Sequence, residues 1–297
     1  MATTGPAALA LAEPIATHHR EPHRRRRRRT SWLVYLTLAL VVLISVFPLY
    51  WTVVVASRSN AEMNQVPPPL LPGRHLESNV HQALQQVDML KAIVNSVIVS
   101  GCVAAGTVFF CTLAGFAFAK LRFRGSGLLL GLTIGTMMIP SQLGVIPLFM
   151  LIAKLQWVNH LQAVVLPTLV TAFGVFFMRQ YLIQALPTEL IEAGWVDGAS
   201  TFRIFRSIVL PVARPAMAVL GLLTFLTAWN DFFWPIIALT SENPTVQVAL
   251  NNLGNGYVPD QSVILAGTLV GTLPVVVVFA LLGKQIVGGI MHGAVKG

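Results

Sequence analysis

The stretch EAGWVDGASTFRIFRSIVLPVARP, Glu192 to Pro215, is a charged, glycine-punctuated segment set between two long apolar runs. Pro187-Thr188 just before it reads as a helix start, with Thr188 as N-cap and Glu189 favourable at the positive helix end. A helix over 189–197 puts Glu189, Glu192 and Asp197 on one arc and Leu190, Ile191, Gly194 and Trp195 on the opposite one. Gly198 can end that helix in the left-handed conformation that glycine adopts without strain. Ser200 then caps a second helix, in which Phe202, Phe205 and Val209 fall at i, i+3 and i+7 while Arg203 and Arg206 point elsewhere. Leu210-Pro211 is expected to break this helix, and Pro215 to open the next apolar run. Two short helices meeting at a glycine, with an acidic face and an aromatic ridge, suit docking into a partner's groove. The competing reading is an interfacial helix lying on lipid, but acidic residues fit poorly against an anionic inner leaflet.

Outward from this segment the chain is apolar. Of 297 residues, 55% are hydrophobic and 10% charged, against about 25% charged in a soluble domain, which places the chain in the membrane class. The net charge of +9 is concentrated: Arg20 and Arg24 to Arg29 supply seven of the twenty basic residues. That run directly precedes the apolar segment from Trp32, so it reads as a topology anchor, and no nucleic-acid partner is expected. The apolar stretch from Leu33 to Ala56 is too long for the core of a signal peptide and reads as an uncleaved first span after a disordered tail over 1–31. Cys102 and Cys111 lie nine residues apart in one apolar segment, roughly 13 Å along a helix, which rules out a disulfide.

A spanning helix needs about 20 apolar residues, and six segments qualify: 32–56, 91–119, 127–153, 161–181, 215–238 and 262–284. With the Arg-rich tail in the cytoplasm, Lys120, Arg122 and Arg124 fall on that side, as do Arg203, Arg206 and Arg214, and finally Lys284 and Lys296. The opposite loops lack a basic excess: 57–90 mixes charges, 154–160 holds only Lys154, and 239–261 holds no Lys or Arg. The positive-inside rule therefore predicts an all-α membrane protein with six transmembrane helices and both termini cytoplasmic. The loop over 57–90 contains PPPLLPG, Pro67 to Gly73, which cannot be helix interior and reads as an ordered surface excursion.

Charges are almost absent from the spans. The exception is Asp231, in TAWNDFFWP, which stands in the outer part of the fifth span beside Asn230 and between Trp229 and Trp234. A carboxylate, an amide and two indoles could line a path for a polyhydroxylated solute. Equally, tryptophans belong where a helix meets the headgroups, and Asp231 can serve as a cap. Asn95 and Ser96 in the second span and Gln142 in the third are weaker candidates for the path, and Pro140 and Pro147 are expected to kink the third helix. The sequence holds no phosphate-binding GxxxxGK[ST] motif, no metal-spaced His/Cys cluster and no activated nucleophile, so no enzyme and no bound cofactor are expected.

The opening segment resembles the EAA loop of ABC-importer permeases: EAA, three residues, G, nine residues, then I-x-L-P. Here Glu192-Ala193-Gly194 is followed by Gly198 and Ile208-Val209-Leu210-Pro211, with Gly194 where the pattern has alanine. NSVIVS, AGFAFAKLRFRG, MMIPSQLGVIPLF, FFMRQYL, PTELIEAGWVDGAS, WNDFFWP and the terminal GAVKG extend the resemblance to the MalG-like carbohydrate permeases over nearly all of 32–297. The resemblance implies a type I ABC-importer permease fold: a first helix and outer loop over 32–90, a five-helix core over 91–284 with the coupling loop at 187–214, and a cytoplasmic tail over 285–297. It implies a second, MalF-like permease, two copies of a cytoplasmic ATPase carrying ATP-Mg, and an extracytoplasmic solute-binding protein, all at the bacterial inner membrane. Carried over, Glu192, Ala193, Gly194, Asp197, Gly198, Ala199, Phe202, Phe205, Leu210 and Pro211 would engage the ATPase. The solute would be a sugar or a related polyol or glycerol phosphate; a stand-alone secondary carrier is the reading from another class.

Overall fold

A chain with this little polar surface must satisfy its backbone within itself, and helices do so segment by segment. The computed structural model of the chain describes residues 32–255 and 259–294, with side chains as far as Leu281. The Arg24–Arg29 run, the expected tail over 1–31 and the terminal residues 295–297 lie outside the described residues. Among the described residues every regular element is a helix.

The chain divides into two units at Phe47/Pro48. The first contains the beginning of α1 (Trp32–Ala56), where Thr37 donates to the Leu33 carbonyl at 2.8 Å. In the second unit the chain leaves α1 into α2 (Asn60–Met63) and α3 (Leu76–Gln86), then enters α4 (Met89–Lys120). Ser59 and Glu62 form a reciprocal capping box on α2. The backbone N–H of Ser59 holds the Glu62 carboxyl below the usual range, helped by the Ser59 hydroxyl and Arg58. Pro67 to Gly73 is non-helical, as expected, and it is tied down: Arg58 donates twice to the Leu71 carbonyl (3.1 and 2.9 Å), and Gly73 N–H donates to the Ser57 hydroxyl at 2.8 Å.

The expected third span is two helices, α5 (Ser126–Thr136) and α6 (Val145–Lys154), meeting through a 3-10 turn at Ser141–Gly144 with a 94° bend. Pro140 causes the break; Pro147 falls in the first turn of α6, where its missing N–H is harmless, and does not kink it. The fourth is likewise bent, by 43°, between α7 (Gln162–Val165) with its 3-10 extension to Thr168 and α8 (Ala172–Ala185). Thr171 caps α8 by accepting from Gly174 N–H at 3.0 Å. Then come α9 (Thr188–Val196), α10 (Thr201–Ile204) and a π turn (Phe205–Val209) that runs into α11 (Leu210–Trp229). Finally α12 (Phe233–Ala238), α13 (Val246–Leu253) and α14 (Gln261–Ala294) complete the chain. Among the described residues, four helices are long and apolar enough to cross a membrane, or up to six if each bent pair is one span.

Helix α4 is the spine of the second unit, packed along α8 and α11. Lipid tails are as apolar as leucine, so such helices associate through close van der Waals fit rather than the hydrophobic effect. Glycines provide that fit: a Cβ on Gly115 of α4 would lie 2.9 Å from the Arg179 backbone nitrogen, and one on Gly174 of α8 would lie 2.7 Å from Cys111 Sγ. Polar side chains of α4 then stitch distant segments to it. Asn95 Nδ2 donates to the Pro244 carbonyl (3.0 Å), the Ser96 hydroxyl accepts from Val246 N–H (2.8 Å), and Thr107 donates to the Thr168 carbonyl (3.4 Å).

Because the obstruction at Gly115 is backbone, Gly115→Ala must push α4 and α8 apart. The expected cost is about 1–3 kcal/mol, read as a lower thermal midpoint of the detergent-solubilised protein and reduced abundance in membranes.

Candidate coupling surface and intramembrane break

Helix α9 is acidic and apolar at once on its open side. Glu192, Ala193 and Asp197 are exposed, as are Leu190, Trp195 and Val196, the last at 88%. Ile191 turns into the core, and Gly194 is half-buried. Leu190 and Trp195, which share the apolar arc with Ile191 and Gly194, are thus on the surface, because the seat under α9 is narrow. A Cβ on Gly194 would stand 3.1 Å from Ile204 Cδ1, so the glycine that departs from the EAA pattern is the point of closest approach. Pro187, not Thr188, occupies the N-cap position; the Thr188 hydroxyl instead accepts from Lys120 Nζ at 3.4 Å.

Gly198 ends α9 at φ +73°, as expected, and the Ser200 hydroxyl caps α10 by accepting from Arg203 N–H at 3.3 Å. The expected aromatic ridge is split. Phe202 is 67% exposed, whereas Phe205 is 2% exposed with its ring 5.9 Å from that of Phe116 on α4, and Val209 is fully buried. Leu210-Pro211 does not break the helix, and Pro215 lies inside it: Thr201 to Trp229 is one continuous rod through the π turn. The wider turn, in which Leu210 N–H bonds the Phe205 carbonyl, accommodates the proline ring and its missing donor. Ala199 and Leu210 are half-buried and Pro211 is exposed.

The other expected site lies where α11 stops. Asp231 is not within a helical span but in the break between α11 and α12, since Pro235 cannot continue an α-helix across its i−4 carbonyl. Asn230 is exposed and Asp231 half-buried; the amides of Phe233 and Trp234 lie against the Asp231 carboxylate, and Asn230 Nδ2 covers the Leu226 carbonyl at 2.8 Å. The two indoles face the protein. Trp229 is buried and stacked on Phe225 with centroids 5.8 Å apart, and Trp234 is buried with Nε1 donating to the Ala163 carbonyl at 2.9 Å. Asn95 is buried and occupied by Pro244, and Gln142 is exposed at the 94° bend.

Sequence reasoning missed Asn159, at φ +63° in the connection after α6. Its N–H donates to the Ala238 carbonyl (2.8 Å) and its Nδ2 to Glu242 Oε2 (3.1 Å). Its Oδ1 accepts from Thr240 N–H (3.1 Å) and its carbonyl from Asn243 Nδ2 (2.9 Å). An asparagine in a turn signals left-handed backbone, but nothing local names its partner segment 79 or more residues away.

Residues 111–287 match the family described as the binding-protein-dependent transport system inner membrane component. The chain belongs to this family. Among curated relatives, the arabinooligosaccharide transport permease AraQ of Halalkalibacterium halodurans is 32% identical over 90% of this chain and 97% of its own length. The lactose transport permease LacG of Rhizobium radiobacter is 32% identical over 91% and 98% respectively. The sn-glycerol-3-phosphate transport permease UgpE of Salmonella typhi is 30% identical over 86% and 94%. A crystal structure of a bacterial ABC transporter that imports the acidic polysaccharide alginate contains a chain that superposes with a TM-score of 0.74 at 21% identity, covering 85% of this chain and 95% of that one. The protein is a membrane permease component with the ABC-importer permease fold, and its family's role is transport rather than catalysis.

Gly198 tests the elbow between α9 and α10. Alanine there has open space around its Cβ and costs about 1–2 kcal/mol of left-handed strain, while proline cannot adopt φ +73° at all. Gly198→Ala should lower uptake partially and Gly198→Pro should abolish it, with the amount of inserted chain unchanged on membrane blots. Normal uptake by the proline variant at normal abundance contradicts the role given to the elbow.

Proposed function

We propose that this chain is one permease half of an ATP-driven bacterial importer of neutral sugars or oligosaccharides, crossing the inner membrane six times with both termini in the cytoplasm. A second permease completes the translocation path, two copies of an ATPase holding ATP-Mg bind at the cytoplasmic face, and an extracytoplasmic solute-binding protein delivers the solute. The observation that carries this reading is the exposed acidic and apolar elbow of α9, Gly198 and α10, built on one rod with α11. A surface mounted that way moves a span when a partner moves it. Closure of the ATPase pair then acts by differential contact with Glu192, Ala193, Asp197, Val196 and Phe202, and rigid-body motion of the rod reorients the path. Gly194, Ala199, Phe205, Leu210 and Pro211 hold the elbow in place from behind.

The solute path is assigned to the broken helix at Asn230 and Asp231, with Gln142 at the other break. Irregular backbone at membrane depth is tolerated where it is buried in protein or lines a water-filled cavity, and discontinuous helices are a recurrent place for solute sites. Trp229, Trp234 and Asn95 form the wall behind it. The segment 225–239 carries no Lys or Arg, which supports a neutral sugar over a glycerol phosphate, and relatives named for arabinooligosaccharides and lactose support the same class.

Purification of a tagged chain in mild detergent should bring down a second permease and an ATPase, identified by mass spectrometry. The solute-binding protein of the same system should bind neutral oligosaccharides in calorimetry and ignore glycerol phosphate. A lone polypeptide that moves solute in vesicles without ATP would contradict the assignment.

A further inference from the structure

We infer that the π turn at Phe205–Val209 sets the rotational phase between the elbow and α11, and so decides that Phe202 rather than Ile204 faces the docking partner. The inference rests on the coupling role proposed above. The buried stripe of α11 runs Val209, Ala213, Ala216, Leu220. Extended backwards at about 100° per residue, that stripe would include Phe202, within ~20° of Val209, and would turn Ile204 ~140° away. The molecule shows the reverse: Phe202 is 67% exposed and Ile204 is 1% exposed.

A π turn holds one residue more than an α turn, so the chain before it is displaced by about one residue's rotation relative to the chain after it. The i→i−5 bond from Leu210 N–H to the Phe205 carbonyl marks the extra residue. Pro211 favours that arrangement, because in a regular helix its ring would occupy the place of the Ser207 carbonyl. One contact then depends on the phase: Ile204 becomes the seat of α9 at Gly194, while Phe205, only ~40° from Val209, stays on the core side in either phase and packs on Phe116. Phe202, released from the core, joins Val196 and Trp195 on the surface. Pro211 is thus a positioning residue, and Phe202 a contact residue for the ATPase.

Phase is read by thiol labelling of the full-length chain in detergent, without partners, in a Cys102→Ser background that removes the exposed native thiol. Phe202→Cys should react with a soluble maleimide about tenfold or more faster than Ile204→Cys. Deleting Ser207 together with Pro211→Ala removes the extra residue and restores the missing donor, which leaves both flanks in their present phase, so the same preference should persist. Equal labelling, or faster labelling at position 204, in either background overturns the phase assignment. In the assembled transporter Phe202→Ala should lower solute-driven ATP hydrolysis about tenfold; unchanged hydrolysis overturns the docking role of Phe202. Failure of the coupling reading itself shows differently, as absence of any ATPase bound to the parent chain.

Discussion

A backbone amide or carbonyl left bare in hydrocarbon costs several kcal/mol, and the architecture of this permease follows from avoiding that cost. Continuous helices meet the requirement along α4 and along the rod from Thr201 to Trp229. Where prolines interrupt the ladder, side chains close it. Thr171 caps α8, and the Trp234 indole covers the Ala163 carbonyl, whose i+4 residue is Pro167. The break between α7 and α8 is therefore a built feature with its own partners.

The same economy shapes the packing. With no hydrophobic gain from pressing one apolar helix on another in lipid, α4 and α8 rely on glycine contacts close enough to exclude even a methyl group. The polar residues of α4 reach outward to hold the segments at 168, 244 and 246. The elbow of α9 and α10 shares this spine, since Phe205 packs on Phe116 in the cluster that also contains Met178 and Ile191. Helix α9 is thus packed onto the same buried cluster that joins α4 and α8.

Apolar length and the cluster of glycine, serine and proline between Glu192 and Pro215 were enough to read helical class, approximate spans, the left-handed turn at Gly198 and the Ser200 cap. Three features escaped. The π turn is invisible to a 3.6-residue period, which is why Phe202 and Phe205 read as one ridge and Pro211 as a breaker. Pro140 and Pro147 look alike in sequence, but only Pro147 falls in the first turn of a helix, where a missing N–H costs nothing, whereas Pro140 stands where α5 would otherwise continue. The burial of Trp229 and Trp234 depends on Phe225 and Ala163, partners that a local reading does not supply. The split of exposed and buried residues within the expected site comes from these long-range contacts.

Asn159 commits every hydrogen-bonding group it has to the segment from Ala238 to Asn243. The stitch is specific to an amide: its Nδ2 must give a proton to Glu242 while its Oδ1 takes one from Thr240 N–H. Aspartate has the same shape, yet would set one carboxylate against another. Hydrolysis of this single amide, a slow chemical ageing that changes the chain by about one mass unit, would convert the clamp between these two connections into a point of repulsion.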